Sequence, residues 1–502
     1  LSGCGSGEDL RARYSLERDL WNAQRIERRI NIDLQGASER EIKFAIRAFE
    51  GIVAKADLEG KDLKGWDPGV IKDIKRIGVL SKIALANLYF ITDKYYLAES
   101  YYKSSLDDEN LPFMSRMNAR LNLARSFYLM GSQDSLRIEC EAIFRDIVGE
   151  EDFWRSRARI NDSFLNIPLV LLRIYRSRGD TEKVEELGET AERFYRKITL
   201  VWPGEMIAEK ARLQMVNLYL IEGRWREAVR TIDDLMDSSF GRAMQPRLLL
   251  MKAKIYLNGM GDRAKAKATL KRILKDSESM DGYYAAKFEL ANISFLEGGE
   301  AEAIEMLKEI EKSSDASPEV RTNAMLVRAL YLEKHDKWNE ARLILKRIQS
   351  LYPETMAALK APLLMTIHYV NGGDTVLARK NLETAREFYL TLLEKKWGLA
   401  QRSLFVQDFL VENYIAAGLP EEAARILEEK SSGWGWSNAA GAMLKSAGIY
   451  AELLGDKEKA AELLKKCIAL YPETRYAKEA AGLLDRLAGP ASRSVSSGRN
   501  EK

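Results

Sequence analysis

The stretch AMLKSAGIYAELLGDKEKAAELLKKCIALYPETRY, residues 442–476, decides the fold. Met443, Leu444, Ala447, Ile449 and Tyr450 set apolar groups along one helix, and Gly448 is expected to let a neighbouring helix approach closely. Gly455-Asp456 reads as a turn. Ala460, Leu463, Leu464 and Cys467 then recur three and four apart, which gives a second helix one apolar face. Leu470-Tyr471-Pro472-Glu473-Thr474 ends that helix, because proline lacks the N–H a continuing helix needs. The unit is a helical hairpin.

The same pattern recurs upstream. Ala329, Trp338, Ala341 and Pro353 lead to a second Tyr-Pro-Glu-Thr at 352–355. Further units are carried by Ala291, Gly298 and Ala303, by Tyr219, Gly223, Trp225 and Ala228, by Ala86, Tyr89, Ala98 and Tyr102, and by Tyr414, Gly418 and Ala423. Weaker copies lie at Ala124–Gly131, Tyr175–Gly179 and Ala264–Leu274, and Ala45 with Phe49 marks the second helix of a degenerate first unit.

Gly448, Gly455, Ala460 and Pro472 fall at positions 8, 15, 20 and 32 of a frame of about 34 residues, which resembles the tetratricopeptide repeat (TPR). The resemblance implies an all-α fold: an α-solenoid, a right-handed TPR superhelix of about ten to eleven helical hairpins plus a capping helix at Glu473–Leu487. The expected organisation is a leader and tether over 1–12, a degenerate first hairpin over 13–58, the solenoid over 70–487 and a disordered tail over 489–502. Glu59–Gly69 reads as a loop, and Lys430–Asn438 as the least regular join. The Tyr-Pro-polar-Thr steps before Ala-rich helices, with Thr355 and Thr474 as caps, are similar to those of BamD-like and YbgF-like envelope TPR proteins.

Leu1-Ser2-Gly3-Cys4 resembles a bacterial lipobox, in which the cysteine is lipidated. That resemblance implies an anchor on Cys4, with Gly5-Ser6-Gly7 as a flexible tether. Without Asp at position 5, the sorting rule for such proteins implies the outer membrane, facing the periplasm.

Lys plus Arg number 78 against 75 Asp plus Glu, so the net charge is +3, without the basic excess of a nucleic-acid binder. The uncharged runs Ser163–Leu172 and Ala361–Val370 are too short to span a bilayer, and their prolines suit buried helix starts. There is no Walker loop, Gly-x-Ser-x-Gly elbow, His-Glu-x-x-His or Cys-x-x-Cys. His335 reads as a solvent-exposed turn residue and His368 as a packed, satisfied histidine. Cys140 and Cys467 sit on apolar stripes of second helices as small hydrophobes. No catalytic residue, metal site, cofactor or small-molecule substrate is expected.

Partners are expected to be proteins or peptides in the concave groove. Asn87, Asn217 and Asn292 share position 9, which faces the groove in TPR proteins, where an amide can both donate to and accept from a peptide backbone. Bonding between the protein's own helices is the favoured alternative. Trp434 and Trp436, flanked by glycines, offer either an aromatic patch or a plug between repeats. The expected function is therefore a non-enzymatic, lipid-anchored scaffold in outer-membrane assembly or envelope maintenance. The alternatives are a SusD-like surface glycan-binding lipoprotein and a cytosolic TPR adaptor.

Overall fold

The computed structural model describes residues 7–32, 37–92, 94–108, 111–149, 151, 154, 162–276, 280–394, 400–431, 436–472 and 474–488. Its regular elements are α-helices, interrupted by two π-helical turns. They divide between two compact units, Leu1–Ile160 with Lys396–Ala400 and Pro420–Lys502, and Asn161–Lys395 with Gln401–Leu419.

The first unit holds the hairpins α1 (Glu8–Ile32) with α2 (Glu39–Ala56), α3 (Pro68–Ile91) with α4 (Tyr95–Leu106), and α5 (Phe113–Leu129) with α6 (Gln133–Gly149). The second unit holds α7 (Asp162–Ser177) with α8 (Thr181–Val201), and α9 (Met206–Glu222) with α10 (Trp225–Met236). After the short α11 (Ser239–Ala243) come α12 (Gln245–Lys254) with α13 (Arg263–Asp276), and α14 (Met280–Leu296) with α15 (Glu300–Lys312). Next are α16 (Pro318–Lys334) with α17 (Trp338–Leu351), α18 (Met356–Asn371) with α19 (Thr375–Glu394), and α20 (Ala400–Ala416). The first unit resumes with α21 (Pro420–Ser431), α22 (Trp436–Ile449) with α23 (Lys457–Leu470), and the closing α24 (Arg475–Ala488). This is the all-α solenoid architecture the repeats imply, with the expected run of hairpins and a last single helix. Its first helix begins at Glu8, ahead of the expected Arg13.

Caps set the helix starts. Ser38 and Glu41 form a reciprocal capping box ahead of α2. Thr355 Oγ1 accepts from Ala358 N at 3.3 Å and Thr474 Oγ1 from Ala477 N at 3.2 Å, as the Tyr-Pro-Glu-Thr motif predicts. Gly223 closes α9 in the left-handed region at φ 75°, and Asp336 takes the equivalent turn after α16 at φ 58°. The small frame residues are buried as the packing argument requires: Ala86, Ala228, Ala303, Ala341 and Ala460 are each 0% exposed.

Two local expectations fail. A Cβ placed on Gly448 would meet nothing within 4 Å, so no helix approaches there. The π-turn Tyr450–Leu454 adds a residue before Gly455, which moves the packed position back to Ala447, 0% exposed. The same turn, Ile255–Gly259, follows α12, where Ala253 is buried and Gly259 lies directly against the Trp225 indole. The run Ser163–Leu172 does open a helix, α7, although Pro168 lies inside it, whereas Ala361–Val370 lies within α18 with Pro362.

A proline inside a helix withholds an N–H and crowds the carbonyl of the preceding turn. The carbonyls left without that N–H are Phe164 O and Ala358 O, and in both helices a tyrosine hydroxyl bonds the carbonyl of the next residue along. Tyr195 OH donates to Leu165 O at 2.6 Å, and Tyr389 OH donates to Leu359 O at 2.6 Å. Each tyrosine stands 30 residues after the leucine it serves. The likeness extends well beyond this bond. α7 and α18 both have 16 residues, α9 and α20 17, α10 and α21 12, and α13 and α23 14. The π-turns fall at matching places, so the stretch from α7 to α13 is repeated from α18 to α23.

Candidate interaction surfaces

The first helices of successive hairpins stack on one another: α12 on α14, α14 on α16, and α16 on α18. Their buried sides build cores such as Met325, Ala329, Ala358, Ala361 and Met365. Partly buried and exposed apolar groups recur on the same helices. At one register of α14, α16 and α18 stand Phe288, Leu326 and Leu363, all half-buried. One helical turn later come Asn292, Leu330 and Ile367, the last two 41% and 39% exposed. Leu296 and Val370 continue the stripe at 60% and 40% exposed. Three stacked helices thus carry apolar groups at matching positions, with Leu330 and Ile367 exposed and Phe288 and Leu326 partly packed against the cores beneath.

The three asparagines are not equivalent. Asn87 is consumed inside the first unit, its Oδ1 accepting from Tyr102 OH at 2.6 Å and from Asn122 Nδ2 at 3.2 Å. Burial pushes the Tyr102 hydroxyl pKa upward, so it stays a donor. Asn217 Nδ2 donates to Gln214 Oε1 at 2.9 Å and Asn292 Nδ2 to Glu289 Oε2 at 3.4 Å, both on their own helices. Among the described residues, nothing donates to the Oδ1 of Asn217 or Asn292. Cys4 and Trp434 lie outside the described residues, as does the 489–502 tail. Trp436 opens α22, and its side chain is also outside the description.

Charged groups tie the hairpins together beside this face. His368 Nδ1 lies 2.8 Å from Glu333 Oε1, and its ring stacks on Trp338 at 3.5 Å with an 11° interplanar angle. That is the packed, satisfied histidine expected. His335 is exposed in its turn and lies 3.6 Å from Glu300 Oε2. Around α9, Arg224 donates to Glu192, Glu222 and Glu227 at 2.8, 3.1 and 3.1 Å and lies over the Tyr219 ring. Burial alone would raise the Glu192 carboxyl pKa, but hydrogen bonds from Arg224, Arg196 and Tyr219 outweigh it and hold the group below its usual value. Clefts of about 470 and 300 Å³ flank this cluster, the larger between Arg176, Val184, Glu189 and Ile221, the smaller between Thr199, Met215 and Arg230.

Cys140 and Cys467 are buried thiols, pushed by burial up to about 12 and about 11, so neither is a poised nucleophile. Among the described residues no group of three or more His, Cys, Asp or Glu side chains is arranged to hold a metal, and no helix is long and apolar enough to cross a membrane.

One feature was not found from sequence. Thr366 Oγ1 donates to Asn413 Oδ1 at 2.9 Å and accepts from Asn381 Nδ2 at 2.9 Å. Asn413 Nδ2 donates to Phe409 O at 2.9 Å and to Tyr389 OH at 3.1 Å. This buried network joins α18, α19 and α20 directly behind Ile367 and Val370. Its sequence signal was the second copy of the Leu-x-x-Pro helix and the two helices after it, in which Leu172, Leu187 and Leu218 of the first copy become Thr366, Asn381 and Asn413.

The family model described as "Tetratricopeptide repeat" matches residues 247–277 and 441–474, the two hairpins that contain the π-turns. No curated protein matches the chain. Among solved structures, yeast Tom70 is similar at 12% identity, covering 93% of this chain and 96% of that one, with a TM-score of 0.40. The Rap conjugation gene regulator of plasmid pLS20, solved with the Phr* peptide, is similar at 12% identity over 83% of this chain and 97% of that one, with a TM-score of 0.28. Naa15/Naa10 bound to HypK-THB gives 16% identity over 93% and 66%, with a TM-score of 0.27. The chain carries tetratricopeptide repeats, matched at 247–277 and 441–474.

Proposed function

We propose that the protein is a non-enzymatic interaction scaffold whose first-helix face in the second unit receives an apolar peptide segment of a partner protein. The observation that carries this reading is the line of Phe288, Leu326, Leu330, Ile367 and Val370 across α14, α16 and α18. Exposed leucine and isoleucine lose water when covered, at roughly 25 cal/mol per Å² of apolar area. The free Oδ1 atoms of Asn217 and Asn292 add acceptors for backbone N–H groups of an extended chain.

The test is selection of peptides from a random library on the native protein, followed by affinity measurement on Leu330→Ser/Ile367→Ser. The variant is expected to bind the selected peptides at least about tenfold more weakly. Equal affinity for both proteins would sink the reading.

We further propose that the scaffold is a lipid-anchored envelope protein, held by acylated Cys4 at the outer membrane and facing the periplasm, in outer-membrane assembly or envelope maintenance. Support comes from the Leu1-Ser2-Gly3-Cys4 motif and the Tyr-Pro-Glu-Thr steps. Metabolic labelling with a palmitate analogue is expected to mark the native precursor and not Cys4→Ala. An unlabelled native protein removes the anchor and leaves the scaffold reading intact.

A further inference from the structure

The chain is almost neutral, but α13 is strongly basic. α13 reads Arg263-Ala264-Lys265-Ala266-Lys267-Ala268-Thr269-Leu270-Lys271-Arg272-Ile273-Leu274-Lys275-Asp276. Ala266, Leu270 and Ile273 face the core. Arg263, Lys267, Lys271 and Lys275 recur every fourth residue, so they form one line with about 6 Å between rungs. Lys267 pairs with Glu297 at 2.7 Å. Arg263, Lys271 and Lys275 are exposed and have no ion-pair partner among the described residues. Like charges four apart on a helix oppose its folding, so the ladder is not there to stabilise α13.

The second copy shows that the hairpin does not need it. In α23, which buries Ala460, Leu464 and Cys467 in the same way, the rungs matching Lys267 and Lys275 are Ala461 and Ala469. Glu458 and Glu462 replace Ala264 and Ala268, and Glu462 pairs with Lys459 at 3.3 Å. The two helices have the same length and the same buried face. α13 carries six basic residues against one acidic, and α23 four against two.

We infer that the outer face of α13 binds an acidic helical segment of a partner protein, with carboxylates at four-residue spacing to meet the rungs. The width of the patch selects a single chain segment. α13 lies between α10 and α15, since Met236 and Met306 pack against the same core as Leu270 and Ile273. Those flanking helices expose carboxylates, Asp234 on one side and Glu302, Glu305 and Glu309 on the other. A broad polyanion such as a bilayer or a nucleic-acid duplex meets these flanks as well as the ladder. Beside the rungs stand Ala264, Ala268 and Arg272, with no large apolar group to enter lipid. The inference rests on the reading of the chain as a scaffold and concerns a surface separate from the first-helix stripe.

The experiment is fluorescence anisotropy of the full chain with a labelled peptide of about twenty residues bearing Glu at every fourth position, at low and at physiological salt. Native protein is expected to bind, with affinity falling as salt rises. Arg263→Glu/Lys271→Glu turns the ladder into alternating Glu and Lys, which keeps the helix, and is expected to bind at least about tenfold more weakly. Lys457→Glu/Lys465→Glu in α23 and Leu330→Ser/Ile367→Ser are expected to bind as native does, so failure of the apolar-stripe reading leaves this result standing. Equal binding by native protein and Arg263→Glu/Lys271→Glu, with both melting normally, overturns the inference. So does absence of peptide binding, whether or not phosphatidylglycerol vesicles or duplex DNA bind through Arg263 and Lys271.

Discussion

The hairpin of α7 and α8 with α9, and the hairpin of α18 and α19 with α20, are two solutions to one packing problem inside the same unit. Both place a proline in the first helix, and both return a tyrosine hydroxyl to the carbonyl three residues before it. They differ at three interior positions. Where the first copy has Leu172, Leu187 and Leu218, the second has Thr366, Asn381 and Asn413, counted from the turns at Gly179 and Gly373 and at Gly223 and Gly418. Leu172 and Leu218 are 0% exposed, as are Thr366 and Asn413. The polar set works because every member finds a partner, which a buried amide requires. The backbone frame tolerates either an apolar or a fully bonded polar core, and a mixture of the two is what it should refuse.

The largest effect is expected from forcing such a mixture. Leu218→Asn places an amide among Leu172 and Leu187, and should cost about 3 kcal/mol because it is buried with incomplete bonding. Hydrogen exchange of α7–α9 amides would read the loss locally. Leu172→Thr/Leu187→Asn/Leu218→Asn should recover more than half of it by completing the network. Three additive penalties instead would mean that the two copies differ in backbone as well as in side chains.

The tyrosines come next. Tyr389→Phe removes the bond to Leu359 O and the bond from Asn413 Nδ2, and should cost about 2–3 kcal/mol. Tyr195→Phe removes only the bond to Leu165 O and should cost about 1–2 kcal/mol. Equal losses in the two copies would show that Asn413 does not depend on the hydroxyl.

The hairpin grammar was legible because it rests on short-range chemistry: turn glycines, apolar positions three and four apart, and Thr355 and Thr474 capping as their Tyr-Pro-Glu-Thr context requires. Register within a helix was less so. Gly448 was assigned to the packed position because a frame counted from Gly455 cannot show that a π-turn adds a residue, and Ala447 takes that place. The polar network was missed since Thr366, Asn381 and Asn413 stand on three helices and meet only when these are stacked. The asparagine at position 9 shows a similar limit. Asn87 is tied to Tyr102 and Asn122 by helix neighbours that its local string does not encode, while Asn217 and Asn292 keep a free acceptor.

The reverse exchange should be nearly silent. Thr366→Leu/Asn381→Leu/Asn413→Leu imports the first copy's interior and removes donors and acceptors together, so stability should stay within about 1 kcal/mol of native. Because Thr366 sits one residue from Ile367, peptide binding on the outer face reports whether the network also holds that face in place. Unchanged stability with weakened binding would assign the network to positioning the docking surface.

The smallest expected difference is electrostatic and belongs to the first copy alone. Glu192 bonds to Arg196, Arg224 and Tyr219, whereas the matching positions of the second copy are Arg386, Leu390, Leu419 and Tyr414. Burial opposes the Glu192 charge, but the three hydrogen bonds win and hold its folded pKa below the ordinary 4.5. A depressed carboxylate contributes stability that is fully present above that ordinary value and is lost as pH falls through the lower folded one. Glu192→Gln should therefore lower stability near neutral pH and flatten its decline below about pH 4.5, measured as hydrogen exchange in α8 and α9 across that range. Exchange in α19 should not respond, since Arg386 has no such linkage to lose. An equal flattening in α19 would place the acid sensitivity outside the Glu192 cluster and reduce its three bonds to surface pairs of little net effect.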